Sequence, residues 1–327
     1  MPFENFNRVH LHPFPTPLHE IPRFGQSIDV PNLYIKRDDH MLLGLGGNKI
    51  RNLEYWLGEA VQQHADIVIA AGGLQSNQCR LTAAACAKLG LPCVLVHNDN
   101  PPDLLEGNML LNHLLGARSI FIGKKSEEER ATKTKLIEEQ LRNEGHNPYV
   151  IGEPGLGALG YAQAAEELIL QSQQMGISLD HIVIVGAMCI TSTGLLYGIS
   201  LQNTPVQVHV ISVEYPLQTM LTKTAEVWQA IIKRTHWEPG KQYRDFAQFH
   251  DMCLGQGYGI PSRAAIETIK LLAQTEGIFI EQVYSAKTFL GLIELRKQGI
   301  IQKEDKVCIF HTGGYGALFA QGPILVE

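Results

Sequence analysis

Residues 65–97 read "ADIVIAAGGLQSNQCRLTAAACAKLGLPCVLVH". Two short β-branched runs, "ADIVIAAGG" (65–73) and "PCVLVH" (92–97), flank a longer run with helical spacing, "NQCRLTAAACAKLG" (77–90). Strands this short joined through one helix need a right-handed crossover, so they lie parallel in one sheet. The alternation continues outward. A helix over 104–117, a strand over 118–123 and a charged helix from Glu127 to Asn143 come next, the last opened by a Ser126/Glu129 capping box. Beyond Pro154 the pattern predicts helix 158–174, strand 181–186, helix 192–202, strand 206–213 and a helical region to about His236. Helix 262–277, the helix-compatible run "FIEQVYSAKTFLGLIELRKQG" and strand 306–314 close the chain. The class is α/β with two open parallel-sheet domains, since 327 residues exceed the usual size of one core. Read from the residues alone, the two lobes follow one another, with a chain crossing near Glu153–Leu156.

Composition narrows the function. A formal charge of -6, without a basic stripe interleaved with aromatics, argues against a nucleic-acid partner. No apolar run reaches the ~20 residues of a membrane span, and the proline-broken N-terminus does not resemble a secretory signal, so a cytoplasmic location is expected. Cys79, Cys86, Cys93, Cys189, Cys253 and Cys308 sit in apolar segments without CxxC spacing, which reads as free buried thiols. His10 and His12 lack a nearby carboxylate or thiol at ligand spacing, and no metal site is expected.

Three glycine turns follow strands, "AAGGLQSNQ" (70–78), "VGAMCITSTG" (185–194) and "HTGGYG" (311–316), where helix N-termini offer unpaired N–H groups to ligands. A fourth, "GGNKIR" (46–51), places Lys49 ahead of a helix. The spacing fits neither the Walker loop nor GxGxxG. What remains is a cleft lysine that can form an imine, or a snorkelling surface lysine.

Taken together, "PTPLHEIPRF", "LYIKRDDHMLLGLGGNKIRNLEY", "AAGGLQSNQCRLTAAACAKLGL", "GNMLLNHLLGA", "LGALGY", "GQGYGIP", "VYSAKTFLGL" and "HTGGYGALFA" resemble the family containing 1-aminocyclopropane-1-carboxylate deaminase and D-cysteine desulfhydrase. Its members depend on pyridoxal 5'-phosphate and have the tryptophan-synthase-β-like fold, type II. The resemblance implies a large cofactor domain from residues 1–51 and 158–327, a small inserted domain over 52–157, a small amino-acid substrate and a homodimer. It therefore regroups the two sequential lobes. By the same resemblance Lys49 holds the cofactor covalently and, when released, acts as base. Asn77 contacts the ring hydroxyl, or caps the 77–90 helix, or does both. Ser76, Asn77, Gln78 and Thr312 receive substrate, with Ser76 also a chemical participant, and Tyr258 and Tyr284 stand near the reacting centre. Cys189, Ile190 and Thr191 fall on the phosphate loop.

Ser285 separates the branches. Cyclopropane deaminases carry glutamate at the matching position, which keeps the pyridine nitrogen protonated; a hydroxyl resembles the desulfhydrase branch, as does Thr312 in "HTGG". The implied reaction is β-elimination, with D-cysteine giving pyruvate, sulfide and ammonia. Alternatives are ring-opening deamination to 2-oxobutanoate and ammonia, or a cofactor-binding protein with little turnover. The chain departs from the family at "GAMCITSTGL", where Met188, Cys189 and Ile190 replace small residues. Since β-branched Ile190 does not tolerate positive φ, either the loop takes another path or phosphate binding weakens. "GEPG" and Tyr315 are further departures, and Tyr315 could narrow the pocket.

Overall fold

A computed structural model describes residues 3, 5–320 and 322. In chain order the first elements are β1 (Leu18–Glu20), α1 (Pro22–Ser27), β2 (Leu33–Arg37) and α2 (Lys49–Gln62). There follow β3 (Ile67–Ala71), α3 (Asn77–Leu89), β4 (Cys93–His97), α4 (Gly107–Leu114), β5 (Arg118–Phe121), α5 (Glu127–Asn143) and β6 (Pro148–Val150). The chain continues through α6 (Pro154–Gln174), β7 (His181–Gly186), α7 (Ile190–Ser200), β8 (Gln207–Ser212), α8 (Leu217–Thr235) and β9 (Ala247–His250). Then come α9 (Arg263–Glu276), α10 (Ser285–Lys297), β10 (Val307–His311) and α11 (Tyr315–Phe319).

These elements form two compact units. One holds residues 14–40 and 154–314; the other holds 5–13, 41–153 and 315–320. The breaks fall after His40 and Glu153, whereas the domain bounds expected from the resemblance are 51/52 and 157/158. Residues 1, 2, 4, 321 and 323–327 of the expected large domain lie outside the described residues.

The first unit is built on a six-stranded sheet of order β1-β2-β10-β7-β8-β9, parallel except for the antiparallel β1–β2 pair. Its two central strands, β10 and β7, carry the apolar runs VCIF and IVIV because both faces are covered. β2 is buried throughout although it contains Lys36 and Arg37. Lys36 Nζ meets Glu167 Oε1 and Gln171 Oε1 at 2.5 Å each, and Arg37 pairs with Asp39 at 2.7 Å, so neither charge is left unmatched. On α6 and α7 the backbones approach closely: a Cβ on Gly194 would fall 2.2 Å from the Ala158 carbonyl, and one on Gly198 2.4 Å from that of Ala162. The helix expected from 158 starts at Pro154, a residue suited to a first turn where its missing N–H has no intrahelical role.

The second unit carries a four-stranded, all-parallel sheet of order β5-β4-β3-β6. β3 and β4 sit at its centre, as the opening stretch requires. The Ser126/Glu129 capping box at the start of α5 is formed in both directions. All six cysteines are buried and free. Among the described residues no helix is long and apolar enough to cross a membrane, and no group of three or more His, Cys, Asp or Glu could hold a metal ion.

Candidate active site

In the four-stranded unit, Lys49 is the first residue of α2. The chain reaches it through Gly44 (φ 55°), Gly46 (φ 70°) and Gly47 (φ 132°), conformations that glycine adopts without Cβ strain. A Cβ on Gly44 would fall 2.6 Å from the Ala84 Cβ, so this turn lies against α3. Arg80, buried on α3, fixes it there. Its guanidinium donates to the Gly44 carbonyl, to Gly46 O at 3.1 Å and, more weakly, to Asn77 Oδ1 at 3.4 Å. Burial pulls Arg80 down only to about 10, so it stays charged at neutral pH. One side chain thus ties the lysine loop to the helix start that carries Asn77.

Asn77 Oδ1 also accepts from Asn108 Nδ2 at 2.9 Å, and Asn108 is set in turn by Gln75. With Oδ1 engaged, Nδ2 is the donor that Asn77 can offer to a ligand. The cap of α3 is Ser76 and not Asn77: Ser76 Oγ accepts the Cys79 amide at 3.2 Å, and Asn77 is the first helical residue. Gln78 Nε2 donates to Thr82 Oγ1 at 3.3 Å, which lays its side chain along α3. One turn past Lys49, Asn52 is fully buried, and neither its Nδ2 nor its Oδ1 has a hydrogen-bond partner. Residues three apart share a helix face, and an unmade buried hydrogen bond costs about 1–3 kcal/mol. The orphaned amide beside Lys49 therefore fits a ligand with polar substituents.

In the six-stranded unit, the loop after β7 places its positive φ at Cys189. Cys189 adopts the left-handed conformation (φ 61°, ψ −1°) as N-cap of α7, and Ile190 is already helical. The positive φ thus avoids the β-branched residue. Burial pushes the Cys189 thiol up, away from a nucleophile's range. No side chain caps α7, and on its first turn Thr193 Oγ1 is buried without a partner. A helix N-terminus beside a buried, unpartnered Thr193 hydroxyl fits an anion such as a phosphate, with Thr191 in the same turn.

Ser285 opens α10, and Tyr284 precedes it as N-cap. The Glu281 carboxylate closes that helix end by accepting the amides of Val283, Tyr284 and Ser285 at 2.6, 2.8 and 2.8 Å. Ser285 Oγ donates to Gly313 O at 3.0 Å, which leaves its lone pairs to face a ligand. Tyr284 and Tyr258 are hydrogen-bonded through their hydroxyls, with the rings edge-on at 5.8 Å. Burial, then the neighbouring Tyr258, raises the Tyr284 pKa well above its ordinary value, so the phenol is a proton donor at neutral pH. Thr312 is buried between His311 and Gly313. His311, neutral because burial lowers its pKa, donates from Nε2 to Phe279 O at 2.8 Å and accepts the Gly313 amide on Nδ1 at 3.2 Å.

Burial pushes Glu281 up to about 7, against three amides that each favour the ionised form. The unfolded carboxyl titrates near 4.5, so between that pH and about 7 the folded chain holds a proton that the unfolded chain has lost. Stability from this group is complete below pH 4.5 and disappears as pH rises through about 7. In urea unfolding, the advantage of wild type over Glu281→Gln is expected to fall by about 3 kcal/mol across that window. A difference constant with pH contradicts the assignment.

Of the residues expected from sequence, Lys49, Ser76, Asn77 and Gln78 lie in one unit, and Cys189, Ile190, Thr191, Tyr258, Tyr284, Ser285 and Thr312 in the other. Arg80, Asn108, Asn52 and Glu281 escaped the sequence reading. The signal for Arg80 was present: an arginine within an alanine-rich helix is a charge on a face built for close packing.

A family profile described as "Pyridoxal-phosphate dependent enzyme" matches residues 9–313. The D-cysteine desulfhydrase of Salmonella typhi is 33% identical over 329 residues, covering 97% of this chain and 97% of that protein. A Pyrococcus horikoshii protein provisionally named 1-aminocyclopropane-1-carboxylate deaminase is 34% identical over 325 residues, covering 98% and 96%. A crystal structure described as that of an ACC deaminase homologue superimposes with a TM-score of 0.91 at 32% identity, covering 99% of this chain and 97% of the other.

Proposed function

The chain belongs to the pyridoxal-phosphate dependent enzyme family, and on that premise we propose that it eliminates a β-substituent from a small amino acid, D-cysteine being the best fit. With one water consumed, D-cysteine yields pyruvate, sulfide and ammonia. The observation that carries this reading is Ser285, a hydroxyl and not a carboxylate at the head of α10, already donating to Gly313 O. Such a hydroxyl has no negative charge to hold a pyridinium proton and, turned from Gly313 O, would donate to an uncharged ring nitrogen; the milder electron sink would suffice for a good leaving group such as thiolate. When bound, pyridoxal phosphate supplies the covalent anchor and the electron sink that weaken the bond to the α-hydrogen.

The protein's own groups do the rest. Lys49 would hold the cofactor and, released, would carry the α-proton. Asn77, its Oδ1 fixed by Arg80 and Asn108, would offer Nδ2 to the ring oxygen. The α7 N-terminus, with Cys189, Ile190 and Thr191, would receive the phosphate. Asn77 and Gln78 would present the first-turn amides of α3 to the substrate carboxylate, with Thr312 as a further contact; the Ser76 amide is taken by Gly73 O at 3.0 Å, but its hydroxyl can still donate to the substrate while it caps. Tyr284, hydrogen-bonded to Tyr258, would donate its phenol proton to the departing group.

The Pyrococcus relative's name favours a second reading, ring-opening deamination of 1-aminocyclopropane-1-carboxylate. A panel of small D- and L-amino acids with added cofactor decides. Sulfide and pyruvate from D-cysteine are expected. Release of 2-oxobutanoate from the cyclopropane substrate, with D-cysteine inert, replaces the first reading by the second, and binding without turnover removes both.

A further inference from the structure

Lys287 is fully buried on α10, two residues after Ser285. Its ammonium is met by backbone carbonyls: Leu254 O and Gly257 O at 2.8 Å each and, at longer range, Val213 O at 3.5 Å. An ammonium has three donors and a neutral amine two, so this ring of three acceptors suits the charged form. Leu254 and Gly257 belong to the loop after β9, where Gly255 (φ 61°), Gly257 (φ 134°) and Gly259 (φ 76°) turn the chain. Tyr258 lies between the last two, and its hydroxyl bonds Tyr284, the N-cap of the helix that carries Lys287.

We infer that Lys287 is a positioning residue: its ammonium, held by the Leu254 and Gly257 carbonyls, fixes the 251–260 loop so that Tyr258 meets Tyr284. A buried cation within a set of carbonyls does the work that a bound monovalent ion does elsewhere, with the advantage that it is tethered to the helix whose N-cap is one of the two tyrosines. The inference rests on the proposed role of the tyrosine pair for its effect on turnover, but its effect on the loop is independent of any substrate.

The test combines proteolysis with kinetics. The loop has no lysine or arginine, so chymotrypsin, cutting after Tyr258, reports its opening. In Lys287→Ala this cleavage is expected to accelerate about 10- to 100-fold, the equivalent of losing charge-assisted hydrogen bonds. Added ammonium or potassium chloride, entering the vacated carbonyl ring, slows it again, whereas choline chloride does not. Lys287→Met fills the space without charge, so cleavage is fast and indifferent to these salts. With D-cysteine, kcat of Lys287→Ala falls about 10- to 100-fold, KM changes little, and ammonium restores kcat. Cleavage at the wild-type rate, or fast cleavage that ammonium leaves unchanged in Lys287→Ala, overturns the inference. Loss of the far-ultraviolet circular dichroism of both variants also overturns it, since Lys287 then maintains the core and not the loop. If the loop responds as stated while wild type turns over neither candidate substrate, the functional reading fails and the Lys287 assignment stands.

Discussion

Lys49→Ala is expected to leave a colourless protein with turnover reduced by at least about 10²–10⁴, the contribution of one positioned proton-transfer group, and further by loss of the covalent anchor. The fold should survive. Lys49 is the first residue of α2, where alanine is a good helix former, and the preceding turn is held by Arg80 to the Gly44 and Gly46 carbonyls. Unchanged circular dichroism alongside lost absorbance and lost 2-oxo-acid release is therefore the expected pattern. Retained absorbance and turnover remove Lys49 from the site.

The second large effect is structural. Gly314→Ala places a Cβ 2.2 Å from Glu281 Cγ at a backbone φ of 113°, which an L-residue rarely adopts. Neither partner can yield cheaply, because Glu281 is buried and bound to three amides at the head of α10. Backbone strain and overpacking together should destabilise the protein by about 2–6 kcal/mol, read as a lower urea midpoint. The same shift moves Gly313, whose carbonyl receives Ser285 Oγ, so cofactor retention should weaken as well. A variant with wild-type stability contradicts the packing described around Glu281.

Much of the fold was legible because its signals are local. The runs at 65–73 and 92–97 became adjacent parallel strands, and Ser126 with Glu129 announced the start of α5. Ser76 and Asn77 are both cap-forming residue types and adjacent, so spacing alone did not choose between them; the choice rests on which backbone turns first. At the phosphate loop, sequence showed that Ile190 resists positive φ but not that Cys189 would take it. Arg80, Asn108 and Lys287 were hidden for a different reason. Their partners are backbone carbonyls or a side chain some thirty residues away, and such pairings have no periodicity to read. Glu281 stood in plain view within "IEQVYSAK", but its effect comes from burial, which a motif does not display.

Reduction of the cofactor-loaded wild-type protein with borohydride, followed by peptide mapping, tests the central claim most directly. The account predicts a pyridoxyl group on the peptide containing Lys49. The same modification on any other lysine, or on none, contradicts it.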